Sequence, residues 1–72
     1  MNIKSKIGMR IKELRHKKGI SQEKLAEIAD LDRTYINSVE NGKRNVSIEN
    51  IEKIARALDA SLQDFFKDQK FK

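Results

Sequence analysis

Side chains able to recognise a partner by hydrogen bonding cluster near the middle of the chain. Asp32 is a good helix N-cap, so Arg33, Thr34 and Tyr35 would occupy the first turn of a helix. An arginine can donate two parallel hydrogen bonds to a guanine edge, and a hydroxyl can bond a base or a phosphate. A basic loop at 43–45 follows shortly after. These residue types indicate recognition of a nucleic acid.

The sequence offers no comparable set of residues for catalysis or metal binding. His16 is the only histidine, it has cationic neighbours, and the chain lacks cysteine. A catalytic nucleophile needs a nearby base, and a structural zinc site needs several Cys or His ligands. We therefore predict no catalytic residue, no metal and no cofactor, and we interpret His16 as an exposed or semi-exposed helix residue.

Positive charge is concentrated in the same part of the chain. Residues 1–44 contain 11 Lys and Arg against 6 Asp and Glu, whereas residues 45–72 contain 5 of each. A local positive field favours a polyanion, because binding releases counterions. The alternative from charge alone is a soluble protein with a basic surface. Membrane-surface binding is disfavoured, because no basic helix pairs its charges with exposed Trp or Phe.

Apolar periodicity predicts the first helix. Four apolar residues recur every three or four positions: Ile3, Ile7, Ile11 and Leu14. They predict a helix over 5–18 that Gly19 ends as a left-handed cap. Gly8 inside this helix costs about 1 kcal/mol against Ala, which either a close packing contact or a frayed first turn explains.

Two further helices follow with only a few residues between them. Ser21 is the expected N-cap of a helix over 22–29, whose inward face would hold Leu25, Ile28 and Ala29. The third helix would start after Asp32, bury Ile36 and Val39, and stop at the turn dipeptide Asn41-Gly42. This arrangement at about 22–40 is a helix-turn-helix, whose second helix enters the DNA major groove.

The remaining sequence predicts two more helices and a charged tail. Ser47 would cap a fourth helix with an apolar face that includes Ile48, and Ser61 would open a short fifth helix. Residues 68–72 are expected to be frayed. We predict an all-α fold, a compact bundle of five short helices in a single domain over 1–72. An intracellular, soluble protein is the expectation, because there is no cysteine and no long apolar run.

These residues resemble the Cro and lambda-repressor type of helix-turn-helix domain, the Xre family. The resemblance covers roughly residues 5–66 and rests on positions in and around the second and third helices: Ser21-Gln22, Ala26, Leu31, Ile36, Val39 and Glu40-Asn41-Gly42-Lys43. The segment 31–36, followed by Arg44-Asn45, is also similar to the controller proteins of restriction-modification systems. One turn position that is often Gly in such motifs is Asp30 here, which tolerates a left-handed conformation at modest cost.

The resemblance implies roles in DNA binding for two groups of residues. Base readout is assigned to the third helix, with Arg33 first and Thr34, Tyr35, Asn37 and Ser38 after it. The alternative for Arg33 is a phosphate contact or a solvated side chain, and the alternative for Thr34 is a phosphate contact. Tyr35 has a half-buried packing role as its alternative. Phosphate contact is assigned to residues on either side of that helix: Gln22, Lys43, Arg44 and Asn45. The resemblance also implies a structural ion pair between Arg15 and Glu40, because a carboxylate in the last turn of a helix needs a cationic partner.

The fifth helix predicts self-association. Phe65 and Phe66 are adjacent, so both cannot face the core of a monomer. A symmetric homodimer with Leu62, Phe65 and Phe66 in its interface would bury the exposed ring and place two recognition helices about 34 Å apart.

The resulting prediction is a dimeric transcriptional regulator, not an enzyme, that binds a double-stranded DNA operator of pseudo-palindromic sequence in the cytoplasm, at the nucleoid. An antitoxin-type repressor that also binds a toxin is the alternative. The sequence leaves open the operator, activation against repression, the regulated gene and any contact with RNA polymerase.

Overall fold

Five α-helices and a terminal 3-10 helix are present in residues 2–72, the part of the chain that the computed structural model describes. The α-helices are α1 (Ile3–Lys18), α2 (Gln22–Ala29), α3 (Arg33–Glu40), α4 (Ile48–Ala57) and α5 (Leu62–Phe66), and the 3-10 helix is Gln69–Phe71. Residues 2–72 contain no strand. The predicted all-α class with five helices is confirmed.

Side-chain caps set where the helices begin. Ser21, Ser47 and Ser61 each accept a hydrogen bond from the backbone amide three residues later, at 3.0–3.1 Å. These caps match the sequence prediction. The first helix begins earlier than predicted, at Ile3, because Asn2 Oδ1 accepts a hydrogen bond from the Ser5 amide at 2.9 Å and caps it there.

Apolar side chains from all five helices form one core. Its fully buried members come from every helix: Ile11, Leu25, Ile36, Ile54 and Phe65. Helix α3 packs against both α1 and α2, and α2 also packs against α4. Since α3 is held from two sides, its outer face has a fixed orientation.

Gly8 permits the close approach of α1 to the end of α3. A Cβ atom at Gly8 would lie 2.6 Å from the carbonyl oxygen of Glu40 and would also clash with the carbonyl oxygen of Val39. Of the two explanations for this glycine, the structure supports the close packing contact. The helix accepts a residue of low helix propensity because any side chain there would push the two helices apart.

Three isoleucines predicted to face inward are exposed. Ile28 is 44% exposed, because the buried stripe of α2 runs through Leu25, Ala26 and Ala29 and its centre lies about 110° around the helix from Ile28. Ile3 and Ile48 are 57% and 64% exposed. Each of these two is the first residue of its helix, where the helix extends past the core.

Part of the tail that was predicted to fray, Gln69–Phe71, forms a 3-10 helix. Asp68 accepts hydrogen bonds from the Lys70 amide at 3.1 Å and from Lys70 Nζ at 2.8 Å, which closes the 3-10 helix. Lys70 Nζ also lies 2.8 Å from Glu13 Oε1 on α1, and the Phe71 ring packs edge-on against Phe66 with centroids 5.0 Å apart. Ion pairs and an aromatic contact therefore attach the segment to α1 and α5.

Candidate nucleic-acid interface

Helix α3 has an apolar inner face and a polar outer face. Ile36 and Val39 are 0% and 1% exposed. Arg33, Thr34 and Asn37 are exposed and line one shallow cleft on the opposite face. Three of the five predicted base-reading residues are therefore brought together at the surface of one helix.

The remaining two predicted base-reading residues, Tyr35 and Ser38, are half-buried. Ser38 also uses its backbone: its carbonyl oxygen accepts a hydrogen bond from the Lys43 amide at 3.0 Å. This bond fixes the start of the basic loop 43–45 beside the end of α3. The side chains of Lys43, Arg44 and Asn45 are all exposed there.

The turn between α2 and α3 is made by Asp30 in a left-handed conformation. Its φ and ψ are 58° and 47°, and the next amide, that of Leu31, donates to the carbonyl of Ala26 at 2.9 Å. Asp is one of the few residues other than Gly that adopts this conformation regularly. The turn that the motif requires therefore forms without the usual glycine.

Arg15 and Glu40 form a buried ion pair, as the family resemblance implied. Arg15 Nε lies 2.7 Å from Glu40 Oε2, and Arg15 Nη2 lies 3.1 Å from Glu40 Oε1. Arg15 Nη1 also donates to the carbonyl of Ile20 at 3.0 Å. The pair joins α1 to the last turn of α3 and offsets the unfavourable position of a carboxylate at the carboxyl end of a helix.

A chain of hydrogen bonds extends from this ion pair to the outer face of α3. Gln22 Nε2 donates to Glu40 Oε1 at 3.0 Å, and Asn37 Nδ2 donates to Gln22 Oε1 at 3.1 Å. Asn41 Nδ2 in turn donates to Asn37 Oδ1 at 3.2 Å. Gln22, predicted to contact phosphate, thus also has an intramolecular role, since it links buried Glu40 to exposed Asn37.

Tyr35, Arg44 and Asn50 meet where α3, the basic loop and α4 come together. The guanidinium carbon of Arg44 lies 5.1 Å from the centroid of the Tyr35 ring, within cation–π range. Asn50 Nδ2 donates to the Tyr35 hydroxyl oxygen at 3.1 Å. This contact region joins a predicted base-reading residue, Tyr35, to a predicted phosphate-binding residue, Arg44.

Sequence reasoning missed Asn50. It is the third residue of α4, and its backbone amide donates to the cap Ser47 Oγ at 3.1 Å. The cap was recognisable from the sequence and located the first turn of α4. Nothing local, however, indicated that this turn lies against Tyr35, 15 residues earlier.

The predicted dimer residues occupy different environments. Phe65 is 0% exposed and belongs to the core, so its proposed place in a dimer interface is wrong. Leu62 and Phe66 are half-buried, and Phe66 is covered on one side by Phe71. Adjacent residues of a helix point in different directions, so only one of the two rings faces the core, and that ring is Phe65.

Residues 2–72 contain neither a candidate metal site nor a candidate membrane-spanning helix. This range contains no group of three or more His, Cys, Asp or Glu residues placed to hold a metal ion. Within the same range, no helix combines the length and the apolar character needed to cross a membrane.

Comparison with known proteins gives relatives along nearly the whole chain. The family described as helix-turn-helix matches residues 11–65. The control protein C.MunI from Mycoplasma sp is 50% identical over 68 residues, which cover 93% of this chain and 92% of that protein.

Solved structures of similar proteins agree with the fold. The restriction-modification controller protein C.AhdI from Aeromonas hydrophila is 51% identical and superimposes with a TM-score of 0.84, over 88% of this chain and 96% of that chain. The controller protein C.Esp1396I, crystallised as a tetramer in complex with its natural 35 base-pair operator, is 40% identical with a TM-score of 0.88, over 93% of this chain and 88% of that chain.

Proposed function

Because this chain belongs to the helix-turn-helix family, we propose that it is a sequence-specific regulator of transcription that binds double-stranded DNA as a restriction-modification controller protein. The observation that carries the proposal is the two-faced helix α3. Its inner face is locked into the core by Ile36 and Val39, and its outer face presents Arg33, Thr34 and Asn37 together. C.MunI and C.Esp1396I, which each match 93% of this chain, are control or controller proteins, and C.Esp1396I was crystallised in complex with its operator.

Within this function, residues at the start of α3 read bases. Arg33 is exposed at the first position of the helix, from which a long side chain reaches the floor of the major groove. Its fork of donors matches O6 and N7 of guanine. Thr34 and Asn37, on the same outer face, read neighbouring positions, and Tyr35 and Ser38 border them.

Residues on both sides of α3 bind phosphates. Lys43, Arg44 and Asn45 are exposed on the loop that Gly42 and the end of α3 hold in place. On the other side, the amino terminus of α2 begins at Gln22, where backbone amides and the positive end of the helix dipole favour a phosphate. Contacts on both sides would fix the register of α3 on the duplex.

The decisive experiment is selection of bound sequences from a random duplex library, repeated with Arg33→Ala and Arg44→Ala. Arg33→Ala is expected to remove the preference at particular base pairs. Arg44→Ala is expected to weaken binding to all sequences evenly and to reduce the salt-dependence slope by about 1. Lys17→Ala is the charge-matched control, because Lys17 borders a cleft with Arg10 and Asp59, away from α3.

The proposal fails if the wild-type protein enriches no sequence, or if all three variants lose affinity equally. No enrichment combined with tight binding of a protein partner would favour the antitoxin alternative. Equal losses would indicate a generally basic surface with no recognition helix.

Self-association is part of the proposed function. Two copies of α3 about 34 Å apart would read the two half-sites of a pseudo-palindromic operator. The proposed interface is α5, with half-buried Leu62 and Phe66 at its centre. Wild-type protein should sediment as a dimer, and Leu62→Glu should sediment as a folded monomer with weaker operator binding. A wild-type monomer at micromolar concentration would contradict this interface.

DNA binding of this kind would place the protein in the cytoplasm, at the nucleoid. Contact with RNA polymerase would decide whether binding activates transcription. The gene next to this one gives an inexpensive check, because a neighbouring endonuclease or methyltransferase supports the controller assignment.

A further inference from the structure

The Tyr35 hydroxyl uses only one of its two hydrogen-bonding roles within the protein. A tyrosine hydroxyl can accept a hydrogen bond and can also donate its own proton. Asn50 Nδ2 donates to the oxygen at 3.1 Å, so the accepting role is in use. Within residues 2–72 the phenolic proton makes no hydrogen bond to an acceptor. The half-buried ring lies at the border of the outer face of α3.

Asn50 is itself rigidly placed. The N-cap Ser47 fixes its backbone amide, and the residue that follows it, Ile51, is buried in the core at 5% exposure. Its side chain is therefore presented to Tyr35 from a firmly packed helix. Arg44, in contrast, approaches the ring from an exposed loop.

We propose that Asn50 is a positioning residue for DNA recognition: by donating to the Tyr35 oxygen, it leaves the phenolic proton free to bond an acceptor on the duplex. The acceptor is an oxygen or nitrogen of a base edge or an oxygen of a phosphate. The ring, fixed by Asn50, in turn supports the Arg44 guanidinium beside α3. This inference rests on the proposed function.

The direction of the Asn50–Tyr35 hydrogen bond can be reversed with little change in shape. An ionised Asp at position 50 can only accept a hydrogen bond, so the phenol would have to donate its proton to it. Tyr35 would keep its place, but its proton would point inward. Asn50→Asp therefore tests donor direction, whereas Asn50→Ala tests placement of the ring.

The experiment is a double-mutant cycle on the selected duplex and on its single-base variants. Tyr35→Phe, which removes the proton, and Asn50→Asp, which redirects it, should each weaken binding of the selected duplex by about three- to tenfold. The added negative charge of Asn50→Asp acts whether or not residue 35 has a hydroxyl. In the Tyr35→Phe background only that charge effect remains, so Asn50→Asp should cost less there.

The same measurements identify the acceptor. Loss of preference at one base pair in both Tyr35→Phe and Asn50→Asp places the proton on a base edge. An even loss across all duplexes places it on a phosphate. Either result supports the role of Asn50, because the two substitutions must change the same property.

The proposal is overturned if Asn50→Asp costs the same factor with Tyr35 as with Phe at that position, since its effect would then be charge alone. Tyr35 is the only tyrosine and the chain has no tryptophan, so its fluorescence reports this site alone. Unchanged fluorescence in Asn50→Ala, with unchanged binding, would also overturn the placement of the ring by Asn50.

Failure of this inference is distinct from failure of the proposed function. If the wild-type protein enriches a sequence and Arg33→Ala removes the preference, the proposed function stands. This holds even when the effects of Tyr35→Phe and Asn50→Asp on the free energy of binding simply add. If the wild-type protein enriches nothing, the function itself fails. A helical circular dichroism spectrum for each variant ensures that the comparison is between folded proteins.

Discussion

Arg15 Nε lies 2.7 Å from Glu40 Oε2, and the two residues are only 8% and 6% exposed. Both carboxylate oxygens are satisfied, because Gln22 Nε2 shares Glu40 Oε1 with Arg15 Nη2. The pair anchors the last turn of α3 to α1. Through Gln22 it also reaches Asn37, so a buried structural contact holds a residue of the proposed DNA interface in place.

Removing one member of this pair should cost much of the stability of the domain. Glu40→Ala leaves the Arg15 charge buried without a partner, which is expected to lower the free energy of unfolding by about 3–5 kcal/mol. Urea denaturation measures the change. Glu27→Ala is the control, since its ion pair with Lys24 is exposed and should contribute about 0.5 kcal/mol.

The double variant Arg15→Met, Glu40→Leu tests the reason for that loss. Replacing both charges with apolar residues removes the unpaired charge, so most of the lost stability should return. If the double variant is as unstable as Glu40→Ala, the attraction between the two charges exceeds the free-energy cost of removing them from water.

Gly8→Ala should destabilise the domain although Ala is the better helix former. The added methyl group would clash with the carbonyl oxygens of Val39 and Glu40, so α1 and α3 must move apart. We expect a loss of about 1–3 kcal/mol. Thermal denaturation provides the measurement, with Lys12→Ala at an exposed position of the same helix as control. A more stable Gly8→Ala protein would contradict the close approach of the two helices.

Asp30→Gly should stabilise the turn between α2 and α3. Asp30 has a φ of 58°, a region that glycine enters without steric cost. Part of this gain is lost to the greater entropy of a glycine in the unfolded chain, which leaves about 0.5 kcal/mol. Asp30→Val, with a branched side chain at the same φ, should lose more than about 1 kcal/mol. The midpoint temperature of thermal unfolding ranks the three proteins. A higher midpoint for Asp30→Val than for the wild-type protein would refute the left-handed turn.

Acid should release the carboxyl-terminal 3-10 helix before the rest of the fold. Hydrogen bonds from the Lys70 side chain, and then from its backbone amide, lower the pKa of Asp68 below its usual value of 3.8. The stabilising contribution of Asp68 to the 3-10 helix is therefore present above pH 3.8 and is lost as the pH falls through the lowered pKa of Asp68. Amide exchange of residues 69–71 should rise in that range. The step should be missing in Asp68→Asn, and its persistence there would rule out Asp68 as its cause.

Base should release the same helix by way of Lys70. Burial alone would lower the pKa of Lys70, but hydrogen bonds to Asp68 and Glu13 more than offset this and raise it above 10.5. The stabilising contribution is thus present below pH 10.5 and is lost as the pH rises through the raised value. The NMR signals of the Phe71 ring, which packs on Phe66, should follow this loss. Glu13→Gln should shift the transition to lower pH, and an unshifted transition would exclude the contact with α1.

Local chemistry in the sequence determined where the helices begin and end. Serine caps at 21, 47 and 61 and the turn at Asp30 involve residues within a few positions of each other, so the pattern predicts them directly. The same holds for the inward Ile36 and the outward Arg33, because both follow from the helical period. The chain therefore specified a helix-turn-helix and the polar outer face of α3 without reference to its other contacts.

Contacts between distant parts of the chain were decided only by the tertiary structure. Asn50 meets Tyr35 because α4 packs beside α3, and Lys70 meets Glu13 because the chain returns to α1 after α5. No spacing in the sequence encodes those distances, since they depend on how the core side chains fill the space between helices. For the same reason the sequence could show that two adjacent phenylalanines compete for the core, while packing alone decided that Phe65 would be the buried one.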